Sequence, residues 1–188
     1  MSTRNAVGGV VLTLGSLLLA VAFCGCGSCR PGGPPGAPLT YNLKIYPGDS
    51  LKDSSLEVDI VGIHPSDLER YRTYSVKKYF KPGDPLRADA AKYTVRFVPG
   101  KQTVAMIPRN HTLWAAWMKA GVQYLVVLAD IPGVADEGKA GSQDPRRQLL
   151  PLCECYWPKN TQDLKVKVQA GGVSLENTPR QGWSLPAW

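Results

Sequence analysis

Apolar and polar residues alternate along four short segments, and a period of two predicts β-strands with one buried face. These segments are 42–46, 56–60, 93–97 and 164–169. A continuous apolar run from Val122 to Ala129 instead predicts a central strand covered on both faces. Further strand candidates are 104–107, 149–156, where Pro151 favours a sheet edge, and 173–175, which Gly171-Gly172 would join to the preceding strand as a hairpin.

Two segments have helical spacing instead. Ser66-Asp67-Leu68-Glu69 matches a capping box, and apolar residues at helical spacing continue to Tyr79, before Lys81-Pro82-Gly83 ends the helix. A second helix is predicted over Thr112 to Lys119. The two helices are short and few compared with the strands. The pattern therefore predicts an all-β domain of seven or eight strands, arranged as a two-sheet β-sandwich. Glu57 and Asp59 fall on the face of their strand that we expect to contact water.

The first thirty residues have the pattern of an export signal. Arg4 is the only charge before an uncharged run to Cys29, whose apolar part is short for a membrane span. Cys26 follows the small residue Gly25, which resembles the lipobox of bacterial lipoproteins and predicts that Cys26 becomes a lipid anchor. Cys24 is the alternative, although bulky Phe23 precedes it. Cleavage after Ala20-Val21-Ala22 would instead release a protein without lipid.

Composition divides the remaining chain. We predict a signal peptide at 1–25, a linker rich in proline and glycine at 26–38, one domain at 39–176 and a tail at 177–188. The 188 residues carry a formal net charge of +7, which could favour nucleic acid or anionic lipid. Because the basic residues are scattered singly or in pairs, we interpret them as a solvated surface and expect no nucleic-acid partner.

The candidates for chemistry are few. The two histidines, His64 and His111, have no metal-ligand spacing, and no nucleophile or phosphate-binding motif is present, so we expect neither catalysis nor a cofactor. His64 precedes a proline at a helix entry and is interpreted as a turn residue. The alternative function is that of an exported β-sandwich lipoprotein acting as a small-ligand carrier or as another envelope-binding module. The pocket of a carrier would be lined by Trp114, Trp117 and Tyr124.

The cysteines form a separate group of candidates. If Cys26 is acylated and Cys24 is lost with the signal, Cys29, Cys153 and Cys155 remain, and an odd number leaves at least one without an intramolecular partner. In an extended segment, Cys153 and Cys155 would point to one face, near the upper distance limit for a disulfide. A structural disulfide is expected, with its connectivity open; a metal site that includes a histidine is the alternative.

Several motifs follow one another in a distinctive order: the lipobox, a strand Leu56-Glu-Val-Asp-Ile60 before a helical insertion, the Phe97-Val-Pro-Gly100 turn, the run Tyr124–Ala129 and a final Leu-x-Val-x-Val strand with its hairpin at 164–168. This order resembles that of the TssJ (VasD) lipoproteins of type VI secretion systems. Departures are the Trp114 to Trp117 segment, the 133–147 insertion, the Cys153/Cys155 pair and the tail after Asn177.

The resemblance implies a transthyretin-like sandwich tethered to the periplasmic face of the outer membrane as a non-catalytic adaptor. Its partner would be the periplasmic domain of a TssM-like inner-membrane subunit, with a TssL-like subunit as a further candidate. By position, the partner-binding loop would consist of Pro47, Gly48, Asp49, Ser50, Leu51, Lys52, Asp53 and Ser54. Leu51 would be its apolar tip, and Asp49, Lys52 and Asp53 its charges. A plain connection between strands is the competing interpretation of the same segment.

Overall fold

A computed structural model describes residues 36–134 and 144–181, and their strands form two four-stranded sheets. We name them the open sheet, of order β4-β1-β7-β8, and the covered sheet, of order β3-β2-β5-β6. The strands are β1 (Asn42–Pro47), β2 (Leu56–Ile63), β3 (Lys92–Phe97), β4 (Ala105–Ile107), β5 (Tyr124–Asp130), β6 (Arg147–Pro151), β7 (Asp163–Gln169) and β8 (Gly172–Leu175). The predicted all-β sandwich is confirmed.

Short helices connect the strands. The insertion between β2 and β3 holds α1 (Leu68–Thr73), α2 (Val76–Tyr79) and α3 (Pro85–Asp89), while α4 (Thr112–Lys119) lies between β4 and β5. Turns of 3₁₀ helix occur at Asp49–Leu51, Pro65–Asp67 and Glu154–Tyr156. Across the described ranges, 36–134 and 144–181, no helix has the length and apolarity that crossing a bilayer requires.

The single helix predicted over residues 66–79 is wrong in detail. Tyr74 has an extended backbone, with ψ of 137°, and divides the segment into α1 and α2. The next residue, Ser75, begins α2 because its side chain accepts a hydrogen bond from the backbone N–H of Lys78. The predicted capping box is also absent: Ser66 lies inside the preceding 3₁₀ turn, which His64 caps. A serine within an amphipathic run can therefore start a new helix as readily as it continues one.

Two hydrophobic cores lie on opposite faces of the covered sheet. The main core fills the space between the sheets and includes Leu125, Val127 and Ala129 of β5 together with Trp114 and Trp117 of α4. The second core packs α1, α2 and α3 against the outer face, which Val126 and Leu128 of β5 reach. Because β5 contributes to both cores, its apolar residues are continuous, as predicted for a central strand.

The open sheet joins the two ends of the folded region. Its first strand, β1, runs parallel to β7 from Asn42 beside Asp163 to Pro47 beside Val168, and antiparallel to β4 on its other side. The predicted hairpin of β7 and β8 is confirmed, and β6 is an edge strand as Pro151 indicated. Pairing of β1 with β7 places the segment that follows β1 beside the end of this hairpin.

Gly62 makes room for the indole ring of Trp117 in the main core. A Cβ atom at position 62 would lie 2.5 Å from Cδ1 of Trp117, closer than van der Waals contact allows. The ring cannot easily move, since it is buried and its Nε1 donates a hydrogen bond of 3.0 Å to the carbonyl of Ala91. The close packing of α4 against β2 therefore requires glycine at position 62.

We expect Gly62→Ala to lower the free energy of unfolding by about 2 kcal/mol, because the added methyl group overpacks the core. Urea denaturation of the purified domain measures this loss. Adding Trp117→Leu should recover part of the loss, so a double-mutant cycle would give a coupling energy above about 0.5 kcal/mol. Gly171→Ala is the matched control, since nothing lies within 4 Å of its added Cβ. Equal stability of Gly62→Ala and the native domain would contradict this packing.

Candidate partner-binding loop

The segment from Pro47 to Ser54 connects β1 of the open sheet to β2 of the covered sheet. The N–H of Gly48 donates to the carbonyl of Val168 in β7 at 2.7 Å, which fixes the start of the loop on the neighbouring strand. The N–H of Leu51 donates to the carbonyl of Gly48 at 2.9 Å, and that of Ser54 donates to the carbonyl of Leu51 at 3.0 Å. Successive backbone hydrogen bonds thus hold the loop in one compact conformation.

Leu51 lies inside the protein, so its prediction as the exposed apolar tip is wrong. Its side chain is only 4% exposed and belongs to the main core between the sheets. The 3₁₀ turn at Asp49–Leu51 directs this residue inward, where burial of a leucine side chain contributes about 2 kcal/mol. Leu51 therefore anchors the loop to the main core.

The exposed surface of the loop is polar and charged. Asp49 and Lys52 form an ion pair, although their side chains remain 88% and 58% exposed respectively. The hydrogen bond from Lys52 lowers the pKa of Asp49, and that bond raises the pKa of Lys52. Ser50 and Asp53 are exposed beside them. Pro47 and Gly48 are buried with Leu51, so the predicted loop residues divide into an anchored set and a displayed set.

The loop also contacts the hairpin formed by β7 and β8. Oγ of Ser50 accepts a hydrogen bond of 3.2 Å from the N–H of Ala170, the residue after β7. Gly48 lies close to the hairpin as well, because a Cβ there would come within 3.0 Å of Cγ of Gln169. The displayed residues of the loop therefore lie next to the end of the hairpin and form one continuous surface with it.

A buried charge network under the helical insertion was missed by the sequence pattern. Asp59 was predicted to face water, yet it is fully buried because α1, α2 and α3 cover that face of β2. Its carboxylate accepts hydrogen bonds from Nε of Arg87 at 2.8 Å, the hydroxyl of Tyr79 at 3.1 Å and Oγ1 of Thr94 at 2.6 Å. These bonds connect α2 and α3 to β2 and β3.

Arg87 extends this network to the half-buried Glu57. Burial alone would raise the pKa of Glu57, but hydrogen bonds from Arg87 and Arg96 lower its pKa overall. Burial would likewise lower the pKa of Arg87, whereas its bonds to Asp59 and Glu57 raise it. The guanidinium also lies 4.7 Å from the ring centroid of Phe80. The carboxylates of Asp59 and Glu57 thus both accept hydrogen bonds from neighbouring side chains of the protein, and we interpret the network as structural.

Both histidines accept hydrogen bonds from backbone N–H groups at the start of a helical turn. Nδ1 of His64 accepts a hydrogen bond of 3.2 Å from the N–H of Ser66, so His64 is the turn residue that the sequence predicted. Nδ1 of His111 accepts a bond of 3.1 Å from the N–H of Leu113 and caps α4. Among residues 36–134 and 144–181, no group of three or more His, Cys, Asp or Glu side chains is placed to hold a metal ion.

The aromatic residues expected to line a carrier pocket are packed instead. Trp114 and Trp117 are buried in the main core with their ring centroids 5.2 Å apart, in an edge-to-face arrangement. Tyr124 lies on the other side of the covered sheet, in the second core. These three side chains therefore do not line a common cavity, and the carrier alternative loses the pocket on which it depended.

Of the three cysteines whose disulfide connectivity the sequence leaves open, Cys153 and Cys155 lie in the described residues. Cys153 is buried with a free thiol, whereas Cys155 is in a disulfide, so the two are not bonded to each other. The segment between them is a 3₁₀ turn, which Cys153 caps, and not an extended strand. Cys26 and Cys29 lie outside the described residues, as do the whole predicted signal peptide and most of the linker.

Comparison with known proteins gives similar folds at low identity. No family model matches the sequence, and no curated protein does. The TssM C-terminal domain (869–1107) of the type VI secretion system from EAEC is 17% identical, with a TM-score of 0.46 over 72% of this chain and 99% of that chain. The type VI lipoprotein TssJ1 from Pseudomonas aeruginosa is 13% identical, with a TM-score of 0.47 over 76% and 98%.

A third solved structure, Serratia marcescens Lip, is a membrane-bound component of the type VI secretion system. It is 12% identical, with a TM-score of 0.44 over 78% of this chain and 99% of Lip. TssJ1 carries the name of the lipoprotein family whose pattern the sequence resembles. All three comparisons describe a similarity of fold.

Proposed function

We propose that this chain is a lipid-anchored adaptor of a type VI secretion membrane complex and that the loop at 47–54 binds its partner. The observation that carries this proposal is the division of the loop into buried anchors and displayed polar residues. Asp49, Ser50, Lys52 and Asp53 are held at the surface by Leu51 below them and by Ser50 bonded to the hairpin. A loop already fixed in one conformation loses little entropy when it binds, which favours affinity.

The other parts of the proposed adaptor have distinct roles. Acylated Cys26 would attach the chain to the membrane, and the proline-rich linker would set the distance of the sandwich from it. Gly27, directly after the anchor, is not acidic, which favours the outer membrane over retention in the inner one. The partner would be the periplasmic domain of a TssM-like subunit, alone or together with a TssL-like subunit. The sandwich would act without catalysis, as a rigid support for the loop.

Charge reversal in the loop tests this proposal. We expect Asp53→Lys, combined with an Asp49→Lys/Lys52→Asp exchange that preserves the local ion pair, to weaken binding to a TssM-like periplasmic domain by roughly tenfold or more. Surface plasmon resonance with the purified sandwich measures the affinity. These residues are exposed, so the fold should be retained. Leu51→Asp would be unsuitable, because it would bury a carboxylate in the core.

Asp89→Lys is the matched control, since Asp89 is an exposed acidic residue at the end of α3, in the helical insertion. It makes the same change of charge outside the loop, and its binding should equal that of the native sandwich. Equal binding by the loop variant and the native protein would show that the segment is a plain connection. Loss of binding by Asp89→Lys alone would place the interface on the helical insertion.

A further inference from the structure

The sandwich has two ends, and the candidate loop lies at only one of them. β1 starts beside Asp163, the first residue of β7, and finishes beside Val168, where the loop at 47–54 begins. Its six residues separate the two ends by about 17 Å at the usual rise of a strand. Residues 36–41 precede β1, so we name their side of the sandwich the linker end and the other side the loop end.

An open cavity of about 510 Å³ lies at the linker end, and three cationic side chains line it. They are Arg109, which follows β4, Lys159, in the turn at 158–161 before β7, and Arg180, which follows β8. The volume is within the range of about 300–1,000 Å³ that is usual for ligand sites. The fold thus brings three positive charges from distant parts of the chain to one cavity.

Backbone hydrogen bonds hold two of these residues at the cavity. The N–H of Arg109 donates to Oδ1 of Asn42 at 3.0 Å, which ties it to the start of β1. The N–H of Arg180 donates to the carbonyl of Tyr156 at 2.8 Å. Because their backbones are fixed while their side chains are exposed, both guanidinium groups are displayed at the linker end.

The cavity is positively charged. Glu154 is the one acidic residue among those that line it, so three cations and one anion leave a charge of +2. Asp163, at the nearby start of β7, instead accepts hydrogen bonds from Asn42 and Lys44. Within residues 36–134 and 144–181, no salt bridge engages any of the three cations. Their charges are therefore available to an external anion.

An apolar side chain lies beside these charges. Leu39 lines the same cavity and is 42% exposed. Cations next to an exposed leucine suit the surface of a bilayer, where phosphate groups adjoin hydrocarbon. A guanidinium binds phosphate oxygens through two parallel hydrogen bonds, and a lysine adds a point charge. The cavity therefore has the chemistry that recognises a phosphate group at a lipid surface.

We propose that this cavity binds the phosphate headgroups of anionic glycerophospholipids, so that the linker end rests on the membrane. The inference rests on the proposed function, because acylated Cys26, ten residues before Gly36, would hold the cavity near a bilayer. Ten residues reach at most about 36 Å. A tether this short gives a high effective concentration, so a weak contact is sufficient. The loop end would then face away from the membrane, toward the partner.

Modification of lysines in the full, acylated protein tests this contact. One set of vesicles contains phosphatidylglycerol and phosphatidylcholine, and the other contains phosphatidylcholine alone. Each cation close to an anionic surface favours contact about fivefold, so an amine-reactive reagent should modify Lys159 roughly tenfold more slowly in the anionic vesicles. Lys101, exposed in the turn after β3 at the loop end, should react equally in both. Mass spectrometry of the peptides measures both rates.

Variants identify the cavity as the origin of the protection. Arg109→Gln/Arg180→Gln should remove most of it, and the fold should be retained because both side chains are exposed. Arg70→Gln/Lys81→Gln is the matched control: it removes the same charge from exposed residues of the helical insertion and should leave Lys159 protected. Equal reactivity of Lys159 in the two kinds of vesicle would overturn the proposal. So would equal loss of protection in the two double variants.

Two further arms identify the ligand and separate it from the lipid anchor. If inorganic phosphate protected Lys159 in phosphatidylcholine vesicles, the cavity would be assigned to a soluble phosphate, and the membrane contact would be overturned. Flotation of the vesicles measures anchoring independently. Protein that floats with both sets of vesicles without protection of Lys159 would contradict the headgroup site alone. Protein that floats only with anionic vesicles would support that site and contradict lipid anchoring.

Discussion

Cys26→Ser is expected to abolish both acylation and membrane attachment. The serine hydroxyl cannot replace the thiol that receives diacylglycerol, and the described part of the chain offers no membrane-spanning helix as a substitute. Each buried methylene of an acyl chain contributes about 0.8 kcal/mol to membrane binding, so loss of several chains removes the attachment almost completely. Growth with radioactive palmitate, followed by fractionation of membranes, measures both effects.

Controls distinguish the three N-terminal alternatives. Cys29→Ser should retain the label, because this cysteine is not the proposed anchor. Label that persisted in Cys26→Ser and disappeared in Cys24→Ser would move the anchor to Cys24. An unlabelled native protein that is cleaved before Phe23 would support release after Ala20-Val21-Ala22 and contradict lipid anchoring.

Asp59→Ala should lower the free energy of unfolding of the sandwich by about 3–5 kcal/mol, the usual cost of removing one partner from a buried ion pair. The substitution would remove the acceptor for Arg87, Tyr79 and Thr94 at once. Urea denaturation monitored by circular dichroism measures the change. Because Tyr79 and Arg87 belong to α2 and α3, the insertion at 65–91 should also become more accessible to limited proteolysis.

Matched variants identify the origin of that loss. Asp59→Asn retains the size of the side chain and one acceptor oxygen, so we expect a smaller loss than for alanine. Asp53→Ala removes an exposed carboxylate and should alter the free energy of unfolding by less than about 0.5 kcal/mol. If Asp59→Ala were as stable as Asp53→Ala, the carboxylate could not be the connection between the insertion and the sheet.

The alternation of apolar and polar residues predicted the strands because successive side chains of a strand point to opposite faces of the sheet, and only one face is buried. In β7, Leu164, Val166 and Val168 face the main core, while Lys165 and Gln169 are exposed, and this difference is visible in the sequence. The continuous run of β5 identified coverage on both faces for the same reason. What covers the outer face was not visible, since the helices responsible lie elsewhere in the chain. Asp59 was misassigned on that account.

The loop was located correctly as a connection, but its orientation required the three-dimensional structure. In the sequence, Leu51 is a single apolar residue among polar ones, and such a residue can equally form an exposed tip or an inward anchor. The 3₁₀ turn and the bonds of Gly48 to β7 decide between these, and both depend on the pairing of β1 with a strand far along the chain. The spacing of Cys153 and Cys155 likewise left the disulfide connectivity open.

The parallel pairing of β1 with β7 has a consequence for biosynthesis. The first strand can acquire this neighbour only after residues 163–169 have been made, so the open sheet cannot assemble while the ribosome is still translating the middle of the chain. Until then β1 can pair only with β4, along one of its edges, and its other edge stays open. A sheet whose central pairing forms last stays incomplete for almost the whole of the synthesis of the chain.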